Sequence, residues 1–433
     1  MVTLDKAGQA FKIATVEVGG PAERGGLRAG DVILALGGKT PGDRGDPILA
    51  LERQIELAES RKDAALEATV LRDGKRMTVT VEVEFLGAHA ATCPLQCRKC
   101  ATVRDRAVRF LADTQNAQGG WETPLGGNNG RIVVATLAGL ALHGARKHPE
   151  AVRRAVEYVV RTLDAPDPLE RLRSEQGANW SQVNWPLAYA PLLLTAMPQE
   201  GGAMDALKAI AHKLIDNQEA SGGYAHGPGG PNALDYVELE IVSNYALASL
   251  GLLRDRGLAV DAAGVDRGLA YIQACMAGDG GVAYSTRPGQ AGHGDPGRTA
   301  GAFFALDRNG LGNSKAARKM LRYFERGMDT LPAGHVSPMM HLLAGAMAAR
   351  ASGQKGLLRD FWKCYRPYLM ASRRHAGAFA ARPTRETRLL RSNIDRTLGP
   401  AWTTATLALV LDLALDENAC PHLFRAPSPR SKS

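Results

Sequence analysis

The sequence predicts two domains, a small β-rich domain followed by an all-α closed ring of six helical hairpins. Three observations support this prediction. The chain has 433 residues, which exceeds the size at which a single hydrophobic core stops growing. Strand and hairpin signals are confined to residues 1–88. A spaced frame of residues then recurs through the rest of the chain, at the interval typical of a helical-hairpin repeat.

The first domain contains several short strands and one helix. Four of its segments alternate β-branched residues with others or form a short apolar run: 11–18, 31–36, 66–71 and 77–85. Asp73-Gly74, between the last two, is a hairpin turn signal. Asp46 and Pro47 suit the start of a helix, because apolar residues recur at helical spacing after them. A small β-rich domain over residues 1–88 is therefore predicted.

A glycine-rich segment within this domain carries a family resemblance. Residues 20–34 read Gly-Pro-Ala-Glu-Arg-Gly-Gly-Leu-Arg-Ala-Gly-Asp-Val-Ile-Leu. The Pro-Ala turn, the Gly-Leu pair and Gly-Asp-x-Ile between two strands are similar to the bacterial type of PDZ domain. The resemblance implies a module that recognises an extended peptide, which is added as a strand to an open sheet edge.

The resemblance also implies where the peptide lies. The added strand would pair beside residues 11–16, against the helix that carries Leu51 and Ile55, and backbone amides near Gly8 would receive the chain terminus. The peptide-binding residues implied in this way are Gly8, Phe11, Ile13, Leu51 and Ile55. The apolar-glycine loop usual in the family is absent, so tight recognition of a C-terminus is not expected. The alternative is a PDZ domain that docks only on its own neighbouring domain.

Three of the six cysteines cluster in a linker predicted over residues 89–103. Cys93, Cys97 and Cys100 are close enough in sequence to bind one zinc ion. The fourth ligand would be His89, or one of the distant Cys420 and His422. Only Cys97 and Cys100 have the spacing of a zinc knuckle, so free or incidentally paired thiols remain the alternative interpretation.

The spaced frame begins after this linker. Its first copy consists of Phe110-Leu111, Gln115, Gly119 and Trp121, and the same spacing returns at three later places. Two shorter copies lack the glycine turn. The six copies open at Phe110, Tyr158, Lys213, Tyr271, Tyr323 and Tyr368. The interval from one opener to the next is typical of a helical-hairpin repeat, so six hairpins are predicted.

A second, more apolar helix is predicted after each opener. These helices span 131–143, 185–197, 235–253, 298–306, 337–350 and 402–415. One helix of each pair is aromatic and basic, whereas the other is rich in alanine and leucine. This division favours an outer and an inner ring of helices in a closed barrel.

The frame ending in Gln115, Gly119 and Trp121 resembles the Gln-Trp repeat of the terpenoid cyclase and protein prenyltransferase superfamily. The resemblance covers residues 104–424 and implies an (α/α)6 toroid. It does not imply the activity, because one fold hosts many functions. The Asp-x-Asp-Asp acid of triterpene cyclases is absent, and the segment after Asp295 lacks the cysteine of the prenyltransferase zinc site. Neither activity is expected, and the architecture looks like that of an uncharacterised bacterial family.

A closed toroid places the N-termini of its inner helices at a cavity, where helix dipoles favour anionic groups. The catalytic candidates at these positions are Asp235, Glu238, His293, Asp295, Arg298 and His341. The ligand-binding candidates are Arg131, Trp180, Gln182, Asn184, Tyr236 and Trp402. Asp235 and Glu238 share one helix face, as an acid–base pair would, although a negative helix start is the simpler interpretation. Amides beside tryptophans suit sugars or peptides.

These observations favour a recognition protein over an enzyme. In the leading hypothesis the PDZ domain recruits a peptide or protein segment, while the toroid binds a polymeric or peptide ligand. The alternative is a lyase or hydrolase that acts on a polysaccharide or peptide in the toroid cavity. Apart from zinc at the cysteine cluster, no cofactor is expected.

Charge and hydropathy limit the remaining partners. The net charge is +9, but the arginine-rich stretch 373–396 contains one aromatic residue and two acidic ones, so no nucleic-acid partner is expected. No membrane span is expected either, because the apolar stretches are short. The chain as given starts without a signal sequence, which predicts the cytoplasm, whereas the PDZ resemblance favours an extracytoplasmic site. Residues 425–433 are predicted to be a disordered tail.

Overall fold

The computed structural model divides the chain into two compact units. The first comprises Met1–Arg106 with Lys363–Phe379, and the second comprises Ala107–Trp362 with Ala380–Ser433. The structure describes residues 2–4, 11–40, 47–124, 127–164, 182–228, 238–335, 337–381 and 394–424.

The first unit contains a five-stranded antiparallel sheet. Its strands are β1 (Val2–Leu4), β2 (Phe11–Ile13), β3 (Val32–Leu36), β4 (Ala65–Arg72) and β5 (Lys75–Glu82), which are neighbours in chain order. Two helices accompany it, α1 (Pro21–Arg24) and α2 (Pro47–Glu59). Asp73 and Gly74 both have positive φ in the β4–β5 turn, as a two-residue hairpin requires. The prediction of a small β-rich domain is confirmed.

Apolar residues from the sheet and from α2 form the core of this unit. Phe11, Ile33 and Val70 are buried on the strands, and Ala58 is buried on α2. Leu51 and Ile55 of α2 pack against the same core and remain partly exposed. Period-two alternation in the strands and helical spacing in α2 therefore direct their apolar residues to one shared interior.

In the part of the chain that the structure describes, twelve α-helices follow in alternation, as outer and inner members of hairpins. The outer helices are α3 (Arg98–Thr114), α5 (Pro149–Asp164), α7 (Ala203–Asp216), α9 (Ala262–Ala274), α11 (Lys315–Gly327) and α13 (Lys355–Ala371). The inner helices are α4 (Gly127–Gly144), α6 (Asn184–Leu194), α8 (Glu240–Asp255), α10 (Pro296–Arg308), α12 (Pro338–Ala351) and α14 (Ile394–Leu415).

The inner helices form a closed ring. Each packs against the next in chain order, and α14 packs against α4 to complete the circle. The alanine-rich and leucine-rich helices are buried nearly all round, as expected of helices with neighbours on every side. The predicted (α/α)6 toroid of six hairpins is thus confirmed.

The repeated glycine has a structural reason. Gly119, Gly222, Gly280 and Gly377 all have positive φ, and a Cβ on any of them would overlap a backbone carbonyl oxygen of an outer helix. The repeat glutamines tie the same turns together: Gln218 donates one amide hydrogen bond to the carbonyl of Gly222 and another to that of Gly264. The frame therefore encodes a tight turn that docks on the neighbouring hairpin.

Replacing Gly222 by alanine is expected to destabilise the second unit more than replacing Gly257. Both glycines have positive φ, but only Gly222 lies against backbone, at Arg267, whereas a Cβ on Gly257 meets nothing within 4 Å. The φ cost is about 1–2 kcal/mol at either position, and overpacking adds about 1–3 kcal/mol at Gly222. Equal losses in urea unfolding of the two variants would contradict this account of the frame.

One described helix is long and apolar enough to cross a membrane by length and composition. This helix is α14, and 89% of its most apolar window is buried inside the protein. Gly399 interrupts its helical dihedral angles, with φ 84° and ψ −172°. As a member of the inner ring it has the burial of a core helix.

Candidate functional sites

Four side chains of the first unit converge as metal ligands would. The Nδ1 atom of His89 and the Sγ atoms of Cys93, Cys97 and Cys100 all lie within 4.8 Å of one another. His89 Nδ1 is 3.4 Å from the sulfurs of Cys97 and Cys100 and 3.6 Å from that of Cys93. Cys93 and Cys100 are 3.4 Å apart, and all three cysteines are free thiols. This group, hereafter the Cys–His cluster, can hold a metal ion.

The fourth member of the cluster is His89, which the sequence offered alongside Cys420 and His422. Its other ring nitrogen, Nε2, lies 2.6 Å from Oε1 of Glu56 on α2. A carboxylate on the second nitrogen of a metal-binding histidine fixes the tautomer and the orientation of the ring. Burial would lower the pKa of His89, but the Cys93 thiol and the Glu56 carboxylate raise it to about 9.

His422 is occupied elsewhere and is not part of the cluster. Its Nε2 atom lies 2.9 Å from the carbonyl oxygen of Leu192, and its ring packs edge-on against His143 in the second unit. Cys420 is buried in the same unit, near the carbonyl of Leu140. Both residues therefore belong to the packing of the toroid.

The predicted peptide position beside residues 11–16 is wrong for residues 11–13. β1 pairs with one edge of β2, with Val2 opposite Ile13 and Leu4 opposite Phe11, and β3 pairs with the other edge. A strand with two neighbours has no hydrogen-bonding edge left for a peptide. The open edges of the described sheet are those of β1 and β5.

The five peptide-binding residues that the resemblance implies lie in different environments. Phe11 and Ile13 are buried core residues and face no open edge. Leu51 and Ile55 are half-buried on α2, where the resemblance placed them. Gly8 lies outside the described residues.

In the second unit, Asp295 and His341 form a buried ion pair. Asp295 is the N-cap of α10 and accepts the backbone N–H of Arg298. Its Oδ1 atom lies 3.0 Å from Nδ1 of His341 on α12, and the His341 side chain is 1% exposed. Gly297 and Gly334 leave room for the imidazole, since a Cβ on either would overlap it.

The charges of this pair stabilise each other. Burial raises the pKa of Asp295, but the His341 charge outweighs burial and holds that pKa well below its ordinary value. Burial lowers the pKa of His341, and the Asp295 carboxylate reverses the effect and raises it. Nε2 of His341 lies 3.2 Å from the carbonyl oxygen of His335, whereas Nδ1 has the Asp295 carboxylate as its ion-pair partner.

A second polar group lies at the start of α8. Glu240 is fully buried, and the Asn244 amide donates both to its Oε1 atom and to the carbonyl oxygen of Arg298, at 3.2 Å for the latter. Burial raises the pKa of Glu240 well above its ordinary value, although the Arg298 charge and the Asn244 hydrogen bond oppose this rise. We call Glu240, Asn244 and Arg298 the polar triad.

The polar triad is incompletely hydrogen-bonded. Oε2 of Glu240, Oδ1 of Asn244 and Nε of Arg298 are buried and have no hydrogen-bond partner in the described structure. The Arg298 guanidinium donates to the carbonyl oxygen of His293 and lies 5.5 Å from the centre of the Tyr284 ring. Buried polar atoms are nearly always satisfied, so this group has hydrogen-bonding capacity left for a ligand or a water molecule.

Asp395, at the start of α14, was missed by the sequence analysis. It is buried and accepts hydrogen bonds from the Ser337 hydroxyl at 2.6 Å and from the Trp402 indole at 2.8 Å. Burial raises its pKa. Trp402, predicted to bind ligand, is 1% exposed and instead holds this carboxyl.

The other predicted residues are dispersed. Asn184 is buried and bonded to Ala225 and Asn217, so it is structural. The exposed His293 accepts a hydrogen bond from Arg298 through its backbone carbonyl, not through its ring. Glu238 accepts one from the Tyr271 hydroxyl, also through its backbone carbonyl. The structure records no contact between the polar triad and either Arg131 or Gln182. Trp180, Asp235 and Tyr236 lie outside the described residues.

The centre of the ring is packed by side chains. Tyr189 stacks on Tyr245 at 4.5 Å between ring centres. Among the described residues, a pocket there is apolar, has room for roughly one water molecule, and is lined by Asn244, Tyr245, Gly301, Phe304, Ala344 and Met347. The sequence predicts a cavity at the inner-helix N-termini, and this pocket is too small to hold a sugar unit or a peptide.

Fold and sites together define a PDZ domain joined to an α/α toroid with a polar group at its inner-helix N-termini. A PDZ domain model matches residues 12–51. The model of a domain of unknown function, DUF6288, matches residues 102–414. Because that match spans most of the chain, the protein belongs to the DUF6288 family.

Part of this sequence is similar to a curated protein. Drimenyl diphosphate synthase of Streptomyces showdoensis is 31% identical over 192 residues, which are 43% of this chain and 32% of that protein. The chain thus matches about a third of the length of this curated relative.

Two solved structures are similar in fold. An α-1,6-mannanase of Salegentibacter sp. HEL1_6, solved with α-1,6-mannotetrose, aligns with a TM-score of 0.50 and 8% identity over 72% of this chain and 99% of its own. The type II terpene cyclase MstE of Scytonema aligns with a TM-score of 0.48 and 14% identity over 75% of this chain and 97% of its own. At such identities the mannanase supports the toroid fold alone.

Proposed function

We propose that this chain is a recognition protein with two binding modules. The PDZ domain takes an extended peptide, and the toroid binds a polymeric or peptide ligand, rich in hydroxyl or amide groups, one of which reaches the buried polar triad through the small pocket that Asn244 lines. The observation that carries the toroid proposal is the set of three unpaired buried atoms on Glu240, Asn244 and Arg298. Together they offer one donor, the Arg298 Nε–H, and two oxygen acceptors, which match a sugar hydroxyl pair or a peptide amide.

Measurements of stability and of affinity on one variant distinguish a role of Glu240 in ligand binding from a role in folding. Replacing Glu240 by methionine removes a buried carboxyl with an unpaired oxygen, so it is expected to leave stability unchanged or raise it by about 1 kcal/mol. Affinity on oligosaccharide and peptide arrays, with the full chain as analyte, is expected to fall at least tenfold. Replacing Glu238 by glutamine, on a half-buried neighbour outside the polar triad, is the matched control.

A clear loss of stability in Glu240→Met would make the polar triad a structural network. Unchanged array binding in a stable Glu240→Met variant would remove the triad from ligand recognition.

A lyase or hydrolase is the second candidate function. Burial raises the pKa of Glu240, while the His341 charge lowers the pKa of Asp295 against the effect of burial. Two carboxyl groups with pKa values pushed apart are the arrangement of a general acid and an ionised partner. Release of reducing ends or peptide fragments from array-positive ligands, abolished by Glu240→Gln, would support this candidate, and intact ligands would leave recognition alone.

We propose zinc as the metal of the Cys–His cluster. A tetrahedral zinc ion with sulfur ligands at about 2.3 Å separates them by about 3.8 Å, and a nitrogen from a sulfur by about 3.5 Å. The observed 3.4 Å between Cys93 and Cys100 and 3.4–3.6 Å from His89 to the sulfurs are close to these edges. Three thiolates and one imidazole in a closed set are typical of structural zinc.

Metal analysis of the purified full chain is expected to give one zinc per molecule. Cys97→Ser should lose that zinc, whereas Cys364→Ser, at a cysteine of the same unit outside the cluster, should retain it. A metal-free chain, or a Cys93–Cys100 disulfide found by mass spectrometry, would contradict the zinc site.

A further inference from the structure

The Cys–His cluster is tied to the helix against which the PDZ resemblance places the peptide. Glu56 of α2 contacts Nε2 of His89 at 2.6 Å. One turn further on, Glu59 accepts from Nζ of Lys99 at 2.6 Å, and the Lys99 side chain is 1% exposed. His89 is a cluster member, and Lys99 lies between Cys97 and Cys100 in the chain. Both contacts to α2 thus begin in the segment that a metal would fold.

Helix α2 is held on two faces. Leu51, Ile55 and Ala58 pack on the sheet core, and the acidic residues Glu56 and Glu59 lie about 100° further round the helix, because each residue advances by that angle. Apolar contacts allow a helix to shift slightly along a sheet, whereas short charged hydrogen bonds hold the helix at one position. The acidic face therefore sets the position of α2 along the sheet.

Lys99 lies in the first turn of α3, but the segment that carries His89 has little regular structure to hold it. Residues 83–90 form neither helix nor strand, and residues 91–96 are turns. The chain entropy of such a segment opposes a single conformation. Metal binding is the kind of interaction that offsets this entropy in small closed sites.

We propose that metal binding at the Cys–His cluster fixes the position of α2 on the sheet of the PDZ domain. The proposal rests on the metal site proposed above, and it makes the module metal-responsive. Glu56 is a positioning residue in this scheme: it transmits the orientation of His89 to the helix that carries Leu51 and Ile55.

Amide hydrogen exchange on the full chain tests the coupling, with zinc alone as the probe. On chelation, amides of α2 are expected to exchange at least tenfold faster, while amides of the β4–β5 hairpin, bonded to each other within the sheet, stay unchanged. In the zinc-loaded protein, Glu56→Gln should raise exchange in α2 and keep the zinc. Glu67→Gln, at an exposed position on β4, is the matched control and should change neither.

Absence of zinc from the chain would refute the metal site. Stoichiometric zinc with unchanged α2 exchange on chelation would refute the coupling itself. If chelation accelerated amide exchange equally in α2 and in the β4–β5 hairpin, the metal would stabilise the whole unit and would not act on the position of α2.

Discussion

Replacing Asp295 by asparagine is expected to destabilise the second unit by about 3–5 kcal/mol at pH 6, because it leaves the buried His341 charge without its partner. The His341 side chain is 1% exposed and 3.0 Å from Asp295, so water cannot replace the carboxylate. Asparagine keeps the cap of α10, since its side-chain oxygen accepts the same backbone N–H. Urea unfolding followed by tryptophan fluorescence measures the effect, because residues 1–106 and 363–379 contain no tryptophan.

The loss in Asp295→Asn is expected to shrink as the pH rises from 6 to 9. In the wild type, the lowered pKa of Asp295 contributes stability above its ordinary value of 3.8, which is lost as the pH falls. The raised pKa of His341 contributes stability that is complete below its ordinary value of 6.5 and is lost as the pH rises through the folded pKa. In the variant, burial favours neutral His341, so the variant gains stability through about pH 6.5.

The double variant Asp295→Asn with His341→Leu removes the stranded charge and should recover most of the loss at pH 6. A loss that is equal at pH 6 and pH 9 would mean that Asp295 acts only as a helix cap.

The toroid was predictable because its repeat is enforced by backbone geometry. Gly119, Gly222, Gly280 and Gly377 each meet the backbone of an outer helix, so any other residue is excluded and the spacing remains visible in the sequence. Alanine and leucine spacing then distinguished the inner helices, because every face of an inner helix is buried. These signals lie within short segments of the chain, so a single sequence is enough to reveal them.

The sites were less predictable because they depend on burial. Asp295, Arg298 and His341 were proposed from their places at helix starts, and the structure brings Asp295 and His341 into contact. Glu240 was not proposed, since nothing in the sequence shows that its carboxyl is enclosed. Asp395 sits within an arginine-rich stretch that suggested a solvated surface, whereas the indole of Trp402 and the ring of inner helices enclose it.

The covered edge of β2 and the identity of the fourth metal ligand were also not predictable from the sequence. β1 has three residues, which is too short for a pattern to reveal that it covers β2. The spacing of the cysteines left His89 and two distant residues as equal candidates. Only the contact between His89 and Glu56 of α2 shows why the nearer residue is the one that is held in place.

Arg373 carries another buried charge network, in the first unit. It stands where the fourth copy of the frame replaces glutamine, and its guanidinium contacts Glu52 and Glu59 of α2 at 3.0 Å each. Burial raises the pKa of Glu52 to about 7, although the Arg373 charge opposes this rise. Without Arg373 the two carboxyl groups would face each other with one cation fewer.

Replacing Arg373 by methionine is therefore expected to destabilise the first unit by about 3–5 kcal/mol at neutral pH. Hydrogen exchange of the β4–β5 amides measures this loss without interference from the toroid. Arg374→Met is the matched control, since Arg374 is 49% exposed and 3.8 Å from Glu17; an exposed pair contributes at most about 1 kcal/mol.

The pH dependence of Arg373→Met is expected to run opposite to that of Asp295→Asn. A carboxyl whose folded pKa is raised loses stability as the pH rises from its ordinary value, 4.5 for Glu52, to the folded value of about 7. Removing Arg373 raises that folded pKa further, so the penalty grows between pH 5 and pH 9. Adding Glu52→Gln to the variant should flatten this dependence, because glutamine does not titrate. A penalty that is constant with pH would show that Arg373 contributes packing of its aliphatic stem rather than charge.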